Sequence, residues 1–222
     1  METKIGALQA VMDRSGGLWI PGVRTLVVAD LHLEKGSSLA ARGHFAPPYD
    51  TTATLVALNE VVRRLEPARV ICLGDSFHDM GAPERVSESD RILLDAAMAH
   101  RRWTWVGGNH DPRISLPFDG ETASQVEIAD VVFRHEPSSG SGHEVCGHLH
   151  PAARLRMKGQ TLRRKCFLAS GNRLVLPAMG TLSGGLNVLD KAFARLLAPG
   201  ACVHMLAGER PYRIEVSRLS RD

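Results

Sequence analysis

Short apolar runs that end in polar residues recur along the first half of the chain, and segments of helical periodicity separate them. Arg24 to Asp30 (RTLVVAD) is β-branched and apolar and closes on a carboxylate. Arg69 to Asp75 (RVICLGD) repeats the design, and Thr104 to Asp111 (TWVGGNHD) runs into a glycine-rich polar turn. Between the first two, residues 50–65 (DTTATLVALNEVVRRL) place Leu55, Leu58, Val62 and Leu65 at helical spacing, with Asp50 as a candidate cap and Pro67 as a stop. Ser87 to His100 predicts a second helix. Together these give β-α-β-α-β, the pattern of parallel strands with helices on their faces. The second half reads differently. Val126 to His135, Glu144 to His148, Arg164 to Ala169 and Arg173 to Pro177 predict strands with few helices between them, and Ala201 to Ala207 with Tyr212 to Val216 predict a closing pair. This points to an α/β fold of two packed sheets rather than one doubly wound sheet, in a single domain over residues 1–222.

Composition narrows the class. With 222 residues, 44% hydrophobic and 23% charged, the chain is of ordinary globular type. It is long enough to bury roughly 70% of its unfolded surface. No apolar run approaches the roughly 18 residues of a membrane span, and the first 17 residues lack the basic start and apolar core of a signal peptide. The four cysteines are scattered, with no CxxC pair, and read as reduced thiols in a cytoplasmic protein. Charge is unevenly spread. Residues 151–189 hold Arg154, Arg156, Lys158, Arg163, Arg164, Lys165 and Arg173 with no Asp or Glu, which leaves residues 1–150 net acidic. A basic segment of this kind suits an anionic partner, and a solvated basic hairpin is the alternative.

The chemistry lies at the strand ends. In open α/β sheets ligands gather at the carboxyl ends of the strands. There the sequence sets Asp30 and His32, then Asp75, then Asn109 and His110, then His135, then His148 and His150. Any one of these has a bland explanation as a cap or a surface residue. Five successive strand ends that each deliver oxygen or nitrogen ligands do not. Carboxylate, imidazole and amide oxygen together fit borderline divalent ions such as Mn²⁺, Fe²⁺ or Zn²⁺. Two such ions roughly 3.5–4 Å apart can clamp the attacking and leaving oxygens of a phosphoryl displacement. One carboxylate must then bridge, and Asp75 is central in the order.

DLH (30–32), GD (74–75), GNHD (108–111), His135 and GHLH (147–150) resemble the ordered signature of calcineurin-like metallophosphoesterases. Over most of the chain, LVVADLHLEKGSSLAARG, LGDSFHD, VGGNHD, FRHEP, GHLHP and RLVLPAMGTLSGG resemble the bacterial PdeM group, the DNA ligase-associated metallophosphoesterases regarded as DNA damage response endonucleases. The resemblance implies a four-layer fold, a two-sheet β-sandwich flanked by helices. It implies two divalent ions, with Mn²⁺ the leading candidate and Fe²⁺, Zn²⁺ or Ni²⁺ as alternatives. The first would take Asp30, His32, Asp75 and His150, and the second Asp75, Asn109, His135 and His148. A hydroxide held between them would attack phosphorus, and His110 would protonate the leaving alkoxide. Asp79 is the candidate for holding the His110 tautomer, with Asp111 as runner-up. The implied substrate is DNA, and the implied functional association is with a DNA ligase and a helicase; a phosphatase or a small-nucleotide phosphodiesterase is the alternative, and a non-catalytic scaffold the remote one. Arg42 and His44, in the loop after DLH, and Arg154 and Arg156, in the basic window, are candidate phosphate contacts. His78 reads as a bystander, and Trp103 and Trp105 as packing residues.

Overall fold

A computed structural model describes residues 1–112, 118–157 and 159–222. The elements in chain order are β1 (Glu2–Ile5), β2 (Leu8–Met12), β3 (Leu18–Ile20), β4 (Thr25–Val28), α1 (Lys35–Ala41), α2 (Asp50–Leu65), β5 (Arg69–Leu73), α3 (Ala82–Arg85), α4 (Glu88–Met98), β6 (Arg102–Val106) and β7 (Glu121–Ala123). They continue with β8 (Gln125–Ile128), β9 (Val131–Arg134), β10 (His143–Cys146), β11 (Pro151–Met157), β12 (Gln160–Ser170), β13 (Arg173–Val175), β14 (Leu186–Asn187), β15 (Cys202–Ala207) and β16 (Arg210–Glu215). Two mixed sheets result. The first runs β1 to β7 in sequence order: an antiparallel meander from β1 to β4, then parallel pairing from β4 to β7. The second runs β14-β11-β12-β13-β10-β9-β8, and β15 and β16 extend it from β12. The long β12 pairs with β11 along its first half, and with β13 and β15 along its second.

Alternation along each central strand explains the layering. Leu26 and Val28 of β4, Val70 and Cys72 of β5, and Trp103 and Trp105 of β6 face one side, where Leu55, Leu58, Val61 and Val62 of α2 and Leu94, Ala97 and Met98 of α4 cover them. Val27, Ile71, Leu73 and Val106 face the other side and meet Phe133, Val145, Phe167 and Leu174 of the second sheet. A strand buried on both faces must be apolar at every position, so the parallel strands read as continuous runs. The outer face of the second sheet is closed differently. Val188, Phe193, Leu196 and Leu197, around a short 3-10 turn, cover Cys166, Leu168, Val203 and Met205. All four cysteines are buried and free. Among the described residues, no helix is long and apolar enough to cross a membrane.

Several elements differ from the sequence expectation. Residues 126–135 are not one strand: Ala129 takes a left-handed conformation (φ 53°) and folds them into the β8–β9 hairpin. The strand predicted over 144–148 ends at Cys146, and β11 begins at Pro151. Asp50 does not cap its own helix. Its carboxylate accepts from Gly36 N (2.9 Å), and Thr51 accepts from Glu34 N (2.7 Å), so the start of α2 caps the start of α1.

Phe133 is fully buried between the sheets. Phe133→Ala is expected to lower unfolding stability by roughly 3–5 kcal/mol, the cost of lost transfer energy plus a cavity. Urea denaturation checks this, and a loss below about 1 kcal/mol would mean that the inter-sheet layer repacks.

Candidate metal centre

Three of the four parallel strands of the first sheet deliver polar residues just past their carboxyl ends. Asp30 follows β4, Asp75 follows β5, and Asn109 and His110 follow β6. The second sheet adds His135 after β9, and His148 and His150 in the turn between β10 and β11. The backbone at these positions is unusual. Asp30, His32, Asp75, His148 and His150 all have positive φ, between 45° and 70°. Non-glycine residues in this region are uncommon, and strain of this kind concentrates at functional sites. The sharp left-handed turns aim side chains from two sheets at one small volume. Glycines permit the approach: a Cβ on Gly108 would lie 2.2 Å from Asp75 Oδ1, and one on Gly147 would lie 2.6 Å from Asp30 Oδ2.

Three groups of side chains converge there: Asp30, His32 and His150; Asp75, His135 and His148; and His32 with His78 and His110, the last without a carboxylate, so that the first two are the candidate metal groups. In the first, His150 Nε2 lies 3.2 Å from His32 Nε2 and 3.4 Å from Asp30 Oδ1. In the second, His135 Nε2 lies 3.0 Å from Asn109 Oδ1, 3.2 Å from His148 Nδ1 and 3.4 Å from Asp75 Oδ2. His148 Nδ1 is 2.9 Å from Asn109 Oδ1. Asp75 also reaches the first group, with Oδ2 3.8 Å from His32 Nε2. The two histidines of GHLH therefore point to different groups. The cause is their left-handed turn and not strand alternation, since 147–150 is not strand. Donor atoms this close, on two buried carboxylates and four imidazoles, fit two divalent cations in number and type. Supporting bonds hold the set. His135 Nδ1 donates to Leu73 O (2.9 Å), which turns Nε2 inward. His148 N donates to Asp30, and His110 N donates to Asp75 Oδ1 (2.9 Å).

Burial alone would raise the Asp75 carboxyl pKa, but the hydrogen bond and charge of His135 hold it down at about 2. Burial would likewise lower His135, yet Asp75 and Asp30 raise it to about 9. The metal-free protein thus carries a buried Asp75⁻–His135⁺ pair. His32 and His148 are shifted the other way, by burial first and then by the neighbouring histidines His150 and His135 respectively.

The residues around the ligands depart in part from expectation. Asp79 does not touch His110. Arg85 engages both of its oxygens (2.7 and 3.0 Å) and holds its carboxyl at about 2. Asp111 does not touch the His110 ring either. It accepts from the backbone N–H groups of Asp75, Gly108 and Phe77 and so pins the GNHD turn to the end of β5, and burial lifts its pKa to about 6. A backbone carbonyl sets the His110 tautomer instead: Nδ1 donates to His78 O (2.8 Å), leaving Nε2 free. His78 is no bystander. Its Nδ1 lies 3.2 Å from His32 Nδ1, and its ring stacks on His110 with centroids 4.8 Å apart. Burial, then His110, lowers its pKa to about 4, so it is neutral and can accept a proton from His32. Its spacing of three residues from Asp75, within one turn of chain, was the available signal.

Lys165, counted in the basic window, also turns inward. Its Nζ donates to Ala178 O and Gly180 O (2.8 and 2.7 Å), while Met179 N and Gly180 N donate to Ala29 O and Asp30 O. The half-buried ammonium, its pKa lowered to about 8 by desolvation, braces the backbone that carries Asp30. Three arginines of the window are also engaged. Arg154 donates to Arg221 O, Arg163 pairs with Asp222, and Arg173 pairs with Glu144. Arg156 and Arg164 are exposed, and Lys158 lies outside the described residues. At about 3.3 Å per residue, Arg154 and Arg156 sit roughly 13 and 20 Å along β11 from His150, leading away from the centre. Arg42 and His44 are exposed beyond α1, and the Arg42 charge contributes to the lowered pKa of His78.

The family model for calcineurin-like phosphoesterases matches residues 23–174. The chain belongs to this family of metal-dependent phosphoesterases. Among solved structures it is similar to the Pseudomonas putida nuclease MPE, with a TM-score of 0.72 and 22% identity over 96% of this chain and 99% of that one. Comparison with curated proteins returned no match.

Because His135 is protonated in the metal-free protein, Mn²⁺ uptake by chelator-stripped protein at pH 7 should release about one proton from it. Release should vanish, and apparent affinity should stop rising, once pH passes about 9. Calorimetry in buffers of different ionisation enthalpy measures this. Equal release at pH 7 and above 9 would contradict the assignment.

Proposed function

We propose that this chain is a two-metal phosphodiesterase that cuts DNA internally. The observation that carries the phosphodiester chemistry is the pair of buried donor groups meeting at Asp75, with one histidine, His110, beside them and free at Nε2. On this reading Asp30, His32, Asp75 and His150 hold one ion, and Asp75, Asn109, His135 and His148 hold the other. When bound, the two divalent ions, Mn²⁺ foremost, lower the pKa of water from 15.7 toward about 7 and neutralise charge on the phosphoryl oxygens.

The chain's own residues do the rest. His78 accepts the Nδ1 proton of His32 and keeps its Nε2 directed at the centre. The carbonyl of His78 fixes the Nδ1 proton of His110, so the proton carried at Nε2 in the cationic form is the one available to a leaving oxygen. Asp111 and Lys165 hold the two loops that carry Asp75 and Asp30. DNA as substrate is supported by the PdeM-type motifs and by the likeness over nearly the whole chain to a protein described as a nuclease. The same motifs support a functional link to a DNA ligase and a helicase.

Incubation of the Mn²⁺-loaded protein with circular single-stranded DNA and with a bis-aryl phosphodiester tests this. Cleavage of the circle requires endonuclease action, since a circle has no ends. Asp75→Ala should abolish both activities. His110→Ala should slow DNA cleavage by roughly 10²–10⁴-fold and spare the aryl ester more, because an aryloxide leaves without a proton. Turnover of the aryl ester with an intact circle would move the substrate to a smaller diester.

A further inference from the structure

The chain has six phenylalanines, and five of them, Phe77, Phe118, Phe133, Phe167 and Phe193, are no more than 8% exposed. Phe45 is 109% exposed, projecting fully from the loop between α1 and α2. One exposed aromatic on a surface means little. This one has company, since Tyr49 on the same loop is also exposed, and Arg42 and His44 flank it. Asp50 and Glu34 near the loop are already engaged, with Gly36 N and with Thr51, so it presents the Arg42 guanidinium, an imidazole and an aromatic face.

The loop is also held in place. Arg42 N and His44 N donate to Leu39 O, Gly43 N donates to Ala40 O, and Pro47 and Pro48 restrict the return to α2. Its root is anchored to the metal centre: α1 begins three residues after His32 and spans about 10 Å. On the β11–β12 strip, by contrast, Arg154 and Arg163 are tied to the C-terminal residues, and the strand leads away from the centre.

We infer that Phe45 is a stacking platform for an unpaired base of a single-stranded polynucleotide whose backbone runs past Arg42 and His44 into the metal centre. This rests on the polynucleotide reading above. Cation and aromatic side by side are the elements of sequence-tolerant single-strand binding, in which every base offers a π face. Phe45 would then set the preference for single strands and locate the cut relative to the gripped base, with no part in the hydrolytic step.

The test is fluorescence anisotropy with the Mn²⁺-loaded full chain and two short phosphorothioate-linked oligomers, one of thymidine and one with abasic sites in its place. The unaltered protein should bind the thymidine oligomer more tightly. Phe45→Ala should weaken that binding about five- to a hundredfold and remove the difference between the two oligomers, and Phe45→Trp should restore both. Unchanged binding of both oligomers by Phe45→Ala overturns the inference, and so does an equal loss for both. If the unaltered protein binds neither oligomer yet hydrolyses the bis-aryl diester, the polynucleotide reading itself fails and this inference falls with it.

Discussion

Two carboxylates, Asp30 and Asp75, are almost wholly withdrawn from solvent at the ends of adjacent parallel strands, and the surrounding structure serves to make that tolerable. Unpaired buried charge is among the most expensive features a protein can hold. Here backbone N–H groups of His110 and His148 point at the carboxylates, and imidazoles from the second sheet close over them. In the metal-free protein a proton on His135 supplies the missing positive charge. Two divalent cations would supply it more completely, and the site has the donor number and spacing to accept them.

The same demand explains the backbone. Five of the seven candidate ligands lie in left-handed conformations that cost of order 1–3 kcal/mol each elsewhere. They persist because both strand ends are clamped by packing against the helices on one side and the second sheet on the other. Asp111 and Lys165 add local clamps, one a buried carboxylate that collects three backbone donors and the other a half-buried ammonium that collects two carbonyls. Neither touches the donor atoms, and both fix the chain that does.

Much of this was legible along the chain because it is local. The apolar runs of β4, β5 and β6 and the periodicity of α2 carry their own signal, and α2 runs over the residues the pattern gives, Asp50–Leu65. The order of the polar strand ends identified the residues that meet. What escaped is non-local. Helix α1, with the sequence KGSSLAA, has modest intrinsic propensity and is capped by residues 14 to 17 positions away. The short β1–β3 meander carries too few residues for alternation to speak. Lys165 reads as one more surface cation until the fold folds it inward, and Asp79 reads as a partner for His110 until Arg85 is seen to hold it.

The proposed centre depends on one carboxylate, Asp75, shared by two metal sites with separate remaining ligands. The direct measurement is metal content by mass spectrometry, with anomalous diffraction on Mn²⁺-soaked crystals of the native protein, Asp75→Asn and Asn109→Ala. Two ions per chain roughly 3.5–4 Å apart are expected in the native protein. Both should be lost in Asp75→Asn, and only the ion beside His135 and His148 in Asn109→Ala. A single ion in the native protein, or two retained in Asp75→Asn, would rule out a shared Asp75.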